Sequence, residues 1–140
     1  MKHELTKSKC FVLVNKEHID SIPCSVELVE VPGIFRLSYF LIHFIYIPYF
    51  IRKNKIQKVV NFSDIPLKTD SCQFYYFDWP YAVYTDSEIW RMMGTKSRII
   101  RNIKLRAWLA LIESVDTVIV QTEVIKGRLK KHFPTLNIKI

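Results

Sequence analysis

Short runs of β-branched and aromatic residues recur along the chain, and one of them, Val118-Ile119-Val120, shows no polar alternation at all. A strand with one face in water alternates apolar and polar side chains. An unbroken apolar run instead demands a sheet buried on both faces, as in parallel sheets covered by helices. Together with the 117–120 segment that contains Val118 to Val120, comparable runs at residues 10–14, 25–31, 58–62, 73–77 and 137–140 extend the reading to six strands. Residues 34–55, 86–114 and 123–133 are long enough for helices, which gives the order ββαββαβαβ. The expected fold class is α/β, a mostly parallel sheet with covering helices in one domain over residues 1–140.

Local signals place the helix ends. Thr85-Asp86-Ser87-Glu88 has the form of a capping box, in which the Thr85 oxygen and the Glu88 carboxylate satisfy the first free amides of a helix starting at Asp86 and running to about Ser114. Asp86 and Glu88 also read as a carboxylate metal motif, but the cap accounts for them without a metal, and no bound metal is expected. Thr122 follows a strand and caps the next helix, whose basic end at Arg128, Lys130 and Lys131 suits the negative pole of the helix dipole.

Composition narrows the function classes. With 140 residues, 49% of them hydrophobic, the chain can bury a core, which argues against disorder. A net charge of +8 directs the folded surface toward anions: phosphates, nucleotides, acidic lipid or nucleic acid. Cys10, Cys24 and Cys72 form no CxxC pair, so neither a disulfide framework nor a zinc site is expected. The polar start of the chain lacks the apolar core of a signal peptide, and a cytoplasm-facing location is expected. Only Gly33, Gly94 and Gly127 are glycines, so no glycine-rich phosphate loop exists, and no cofactor is expected.

Residues 34–51 are apolar nearly all round and are followed by Arg52, Lys53, Lys55 and Lys58. A membrane span needs about 20 apolar residues. This run approaches that only by including Arg36, Ser38, His43 and Pro48, so the expectation is a core helix or a monotopic contact, with Pro48 kinking or ending its last turn. His43 is expected to be a satisfied core or interface histidine. A second stretch interleaves Lys96, Arg98, Arg101, Lys104 and Arg106 with Ile99, Ile100, Ile103, Leu105 and Trp108. It reads either as an amphipathic helix with a solvated basic face or as a helix lying on anionic headgroups, peripheral on the inner face of the plasma membrane. Nucleic acid is the weaker partner, because the aromatics sit in runs where a core would use them.

From Glu113 onward, Asp116, Val118 to Val120, Thr122, Glu123 and Leu129, followed by Asn137-Ile138-Lys139-Ile140, resemble the end of the N-terminal, acceptor-side domain of GT-B glycosyltransferases of the group 1 (family 4) type. Lys55-Ile56-Gln57-Lys58-Val59-Val60-Asn61-Phe62-Ser63-Asp64 and the segment from Phe74 to Pro80 resemble the strands and loops of the same domain around its acceptor cleft. The resemblance spans residues 25–140 and implies a Rossmann-like sheet forming a partial GT-B half, incomplete at both ends. The family's opening strand and glycine-containing loop do not precede Cys10, and the glutamate pair of its donor domain is not found. The last residues read as an exposed strand, so a donor-binding part beyond Ile140 or on a second chain is expected as partner.

What the resemblance implies is transfer of a sugar from a nucleotide donor to a glycan or lipid-linked acceptor, by a half that is inactive alone. The alternative is a membrane-associated or partner-docking α/β module without catalysis. Open α/β sheets place ligands at the carboxyl ends of their strands. The candidate residues there are Asp64 or Asp78 to accept a proton from an acceptor hydroxyl, and Trp79, Tyr81, Thr122 and Glu123 to bind the acceptor. Lys96, Arg98, Arg101 and Lys104 are the candidates for membrane or phosphate contact. Each has a plainer role available, as turn former, loop packer, cap or solvated charge.

Overall fold

The computed structural model describes residues 11–14, 27–32, 38–85 and 88–140. They divide into two compact units, Met1–Tyr46 and Ile47–Ile140. In the first, β1 (Phe11–Val14) and β2 (Glu27–Glu30) pair in parallel, with Phe11 opposite Glu27 and Val14 opposite Glu30. A helical turn, α1 (Tyr39–Leu41), runs into a π-helical turn at Ile42–Tyr46. His43 is buried there, stacked on Tyr39 with ring centres 5.5 Å apart and meeting Phe44 edge-on at 5.2 Å.

The second unit opens with α2 (Ile47–Lys53) and carries four strands: β3 (Lys58–Asn61), β4 (Cys72–Tyr76), β5 (Thr117–Ile119) and β6 (Ile138–Lys139). They form one all-parallel sheet in the order β3-β4-β5-β6. This is the expected α/β, Rossmann-like arrangement, and every expected strand is present to within two residues at either end. Among the described residues no helix is long and apolar enough to cross a membrane.

The pairing register explains the core. Asn61, Tyr75, Val118 and Ile138 form one row across all four strands, and all four are buried. Side chains two along a strand share a face, so Gln73, Phe77 and Val120 extend this surface. The long helices α4 (Thr95–Leu111) and α5 (Glu123–His132) cover it through Trp108 and Leu129. Trp108 packs against Phe77 and, edge-on, against Phe133, each at 5.6 Å between ring centres. The opposite face departs from the expectation of full burial. Phe74, Tyr76 and Ile119 stay partly exposed, and Val60 on the outer strand is 57% exposed. An edge strand lacks a neighbour to shield its side chains, so Val60 shows most.

Two expectations about helices are corrected. The single helix over 86–114 is in fact α3 (Glu88–Met92), α4 and a 3-10 turn at Ile112–Ser114. Gly94 stands at the break, just before α4, in an extended conformation (φ −59°, ψ 151°), and glycine is a poor helix former. Arg98 then reaches back, donating to the carbonyls of Arg91 at 2.8 Å and Met93 at 3.3 Å, which satisfies acceptors that the end of α3 leaves open. The expected helix start at Asp86 lies outside the described residues. Pro48, expected to kink or end a last turn, instead lies inside a helical run that continues to Lys53, directly after the π-helical turn Ile42–Tyr46.

Helix α2 ends by a Schellman arrangement. The Ile56 amide donates to Ile51 at 3.0 Å and the Lys55 amide to Arg52 at 3.2 Å, with Lys55 in the left-handed region at φ 51°. The next crossover, from β3 to β4, contains no helix. It is held by a polar network instead: Asn61 Nδ2 donates to the Ile65 carbonyl at 3.0 Å and to Gln73 Oε1 at 3.2 Å, while Ser63 Oγ donates to Asn61 Oδ1 at 2.7 Å. The network fixes the loop that carries Asp64.

Candidate functional site

The carboxyl ends of β3 and β4 and one face of α4 enclose a cleft of about 370 Å³. Its lining brings together Asp64 from the loop after β3, Trp79 and Tyr81 from the loop after β4, and Ser97, Arg101 and Lys104 from α4. The helical residues fall at i, i+4 and i+7, a spacing that stacks them on one face of the helix. Pro80 begins a 3-10 turn, Pro80–Ala82, that sets Tyr81 opposite α4. The backbone of Asp64 is anchored from beneath, its carbonyl accepting the Tyr75 hydroxyl at 2.8 Å.

Charges of both signs line the cleft. Lys104 forms an ion pair with the Asp64 carboxylate, both side chains retaining some solvent exposure. The Arg101 guanidinium lies over the Tyr81 ring, 4.0 Å from its centre, a cation–π contact. Arg101 Nη1 is shut off from water and has no hydrogen-bond partner among the described residues. Among the described residues the lining carries two cations, Arg101 and Lys104, and one carboxylate, Asp64. A second, larger depression of about 490 Å³ lies between α2 and the segment leading into β4, bounded by Arg52, Lys55, Lys68 and Asp70. It sits at the amino end of β4, away from the strand ends where parallel sheets bind ligands. Its Arg52–Asp70 pair, at 4.0 Å and 80% and 95% exposed, organises little.

The residues singled out from the sequence divide cleanly. Asp64, Trp79, Tyr81, Arg101 and Lys104 meet in the cleft. Trp79 contributes an indole that is largely buried in the core, and Tyr81 has one ring face occupied by Arg101. Asp78 is exposed and does not line the cleft. Thr122 caps α5, its hydroxyl accepting the Ile125 amide at 3.3 Å, and Glu123 pairs with Lys126 at 3.3 Å in the first turn. Both stand outside the cleft, as do Lys96, which is exposed, and Arg98, whose guanidinium is spent on α3. Ser97 and Ile100 were not anticipated, although the spacing of Ser97 to Arg101 and Lys104 was visible. The contact of Arg128 with the Tyr84 ring, at 4.0 Å, was also unanticipated.

No family model, curated protein or solved structure matches the chain.

Proposed function

We propose that this chain is the acceptor-side half of a glycosyltransferase, working against a donor-binding half that holds the nucleotide sugar. The observation that carries the reading is the cleft at the carboxyl ends of β3 and β4, where a carboxylate, two cations and two aromatic residues meet. The resemblance of the β3, β4 and β5–α5 segments to the acceptor domain of the family 4 enzymes supports it. In this reading Asp64 accepts the proton of the acceptor hydroxyl as that oxygen bonds to the anomeric carbon. The bond from that carbon to the donor diphosphate breaks, and the diphosphate leaves with the electron pair. Lys104 holds the Asp64 carboxylate in place, and Tyr81 and Trp79 bound the sugar's position.

The test is saturation-transfer NMR on the purified chain with a panel of glycosides and sugar phosphates. The expected result is saccharide binding that is lost in Tyr81→Ala with the fold intact by circular dichroism. A panel in which no saccharide binds overturns the reading. A second reading, a docking module without chemistry, is favoured by Ile99 and Ile103, one turn apart on α4 and 55% and 48% exposed. Anionic vesicles are the partner it would take.

A further inference from the structure

The depression between α2 and the segment leading into β4 gathers positive charge around a space of about 490 Å³, within the range of small-molecule sites. We infer that it binds a phosphate-bearing anion, held by Arg52, Lys55 and Lys68. Among the described residues its lining sets these three cations against one carboxylate, Asp70. Asp70 meets Arg52 only at 4.0 Å and in open water, a contact too weak to neutralise the guanidinium. Neither Lys55 nor Lys68 has an ion pair or a hydrogen bond to its ammonium group among the described residues, so an anion enters without displacing a partner. Walls that carry mostly one sign of charge concentrate the opposite sign between them.

Two local features fit this role. The carboxyl end of a helix ordinarily repels an anion, but the last carbonyls of α2 are taken: Phe50 accepts the Asn54 amide and Nδ2, Ile51 the Ile56 amide, and Arg52 the Lys55 amide. Lys55 itself holds a left-handed conformation that glycine adopts at less cost, and strain of this kind gathers at sites of function. Arg52 offers a planar fork that matches two phosphate oxygens at once. Thr69 Oγ1 accepts the Ser71 amide at 3.1 Å and keeps its own proton for a ligand oxygen. The site lies at the amino end of β4, apart from the strand ends where parallel sheets bind substrates, so it is independent of the acceptor reading above. A soluble phosphate and a lipid headgroup offer the same chemistry.

The experiment is titration of the purified chain with inorganic phosphate, followed by amide chemical shifts, beside co-flotation with phosphatidylcholine vesicles with and without phosphatidic acid. Phosphate is expected to move the Thr69 and Ser71 amides. Lys55→Gly and Lys68→Gln are each expected to weaken binding about threefold to tenfold, the loss of one exposed charge contact. Lys55→Gly separates binding from folding, since the same change should raise the thermal midpoint. Asp70→Asn, which removes the carboxylate facing the anion, should strengthen binding. Lys131→Gln takes an equal charge from α5, away from the depression, and should leave affinity where it is. An equal loss in Lys131→Gln and Lys55→Gly shows diffuse attraction to a basic chain and overturns the site. Equal phosphate affinity in wild type and Lys55→Gly, or shifts confined to amides outside the depression, also overturns it. A response to phosphatidic acid vesicles alone, weakened in Lys55→Gly, upholds the site and assigns the phosphate to a lipid. Vesicle binding that Lys55→Gly leaves unchanged, with no response to inorganic phosphate, overturns it, as does the absence of any response to either probe.

Discussion

Gln73 pairs with Leu67 as if its side-chain amide were strand backbone: Oε1 accepts the Leu67 amide at 2.8 Å, and Nε2 donates to the Leu67 carbonyl at 3.1 Å. The helix-free crossover from β3 to β4 depends on this bridge, since a buried loop must satisfy its backbone groups somewhere. Gln73→Leu leaves both Leu67 groups without these partners and is expected to cost about 1–3 kcal/mol for each. The urea midpoint should fall with the slope unchanged, and the Asp64 amide resonance should move.

Lys55 holds a left-handed conformation at φ 51°, which costs a residue with a Cβ roughly 1–2 kcal/mol and glycine almost nothing. Lys55→Gly is therefore expected to stabilise the chain, by about 1 kcal/mol after the greater flexibility of glycine in the unfolded state is set against the gain. A lower thermal midpoint for the glycine variant would contradict the Schellman assignment.

Thr122 accepts the Ile125 amide and starts α5, so Thr122→Ala should cost about 1 kcal/mol, and Thr122→Ser much less. The change should leave saccharide titrations of the cleft where they are, because neither Thr122 nor Glu123 lines it. A loss of ligand affinity in Thr122→Ala with normal stability would restore the binding role expected from the sequence.

Asp64→Asn removes an ion-pair partner of Lys104 and the carboxylate that lines the cleft among the described residues. The pair is partly solvent-exposed, so its loss should shift stability by no more than about 1 kcal/mol. Sugar transfer in the presence of a donor-binding half should be lost. Unchanged transfer would remove Asp64 as the proton acceptor.

If α4 docks on a membrane, Ile103→Glu should abolish co-flotation with vesicles containing anionic lipid, and salt should release the wild type, since exposed charges are screened over about 10 Å at 0.1 M. Wild-type chain that stays with the soluble fraction at low salt would exclude the docking reading.

The strands were legible because their signal is local: continuous apolar and aromatic runs such as Val118 to Val120 leave few other folds open. The cap at Thr122 was equally local. The break at Gly94 was less so, because a single glycine within a helical pattern is often tolerated, and it took the Arg98 side chain to secure the turn. The polar network of Asn61 and Gln73 went unread, although polar residues inside apolar strand runs were its visible trace. Five residues of the cleft were on the list of candidates, but with separate roles, as proton acceptor, as acceptor binders and as surface cations. Their convergence depends on how the long crossover from β4 to β5 folds α4 back over the strand ends, which spacing along the chain does not encode.

A loop tied by side chains rather than by a backbone ladder has its shape written into a few replaceable letters. Asn61, Ser63 and Gln73 hold the crossover, while the strand pairing beside them runs through backbone atoms common to every residue. Heritable change at those three positions can therefore re-aim the Asp64 wall of the cleft while the order of the sheet stays as it is. In lineages descended from this fold, ligand preference should drift at positions 61, 63 and 73 as readily as at the residues that touch the ligand.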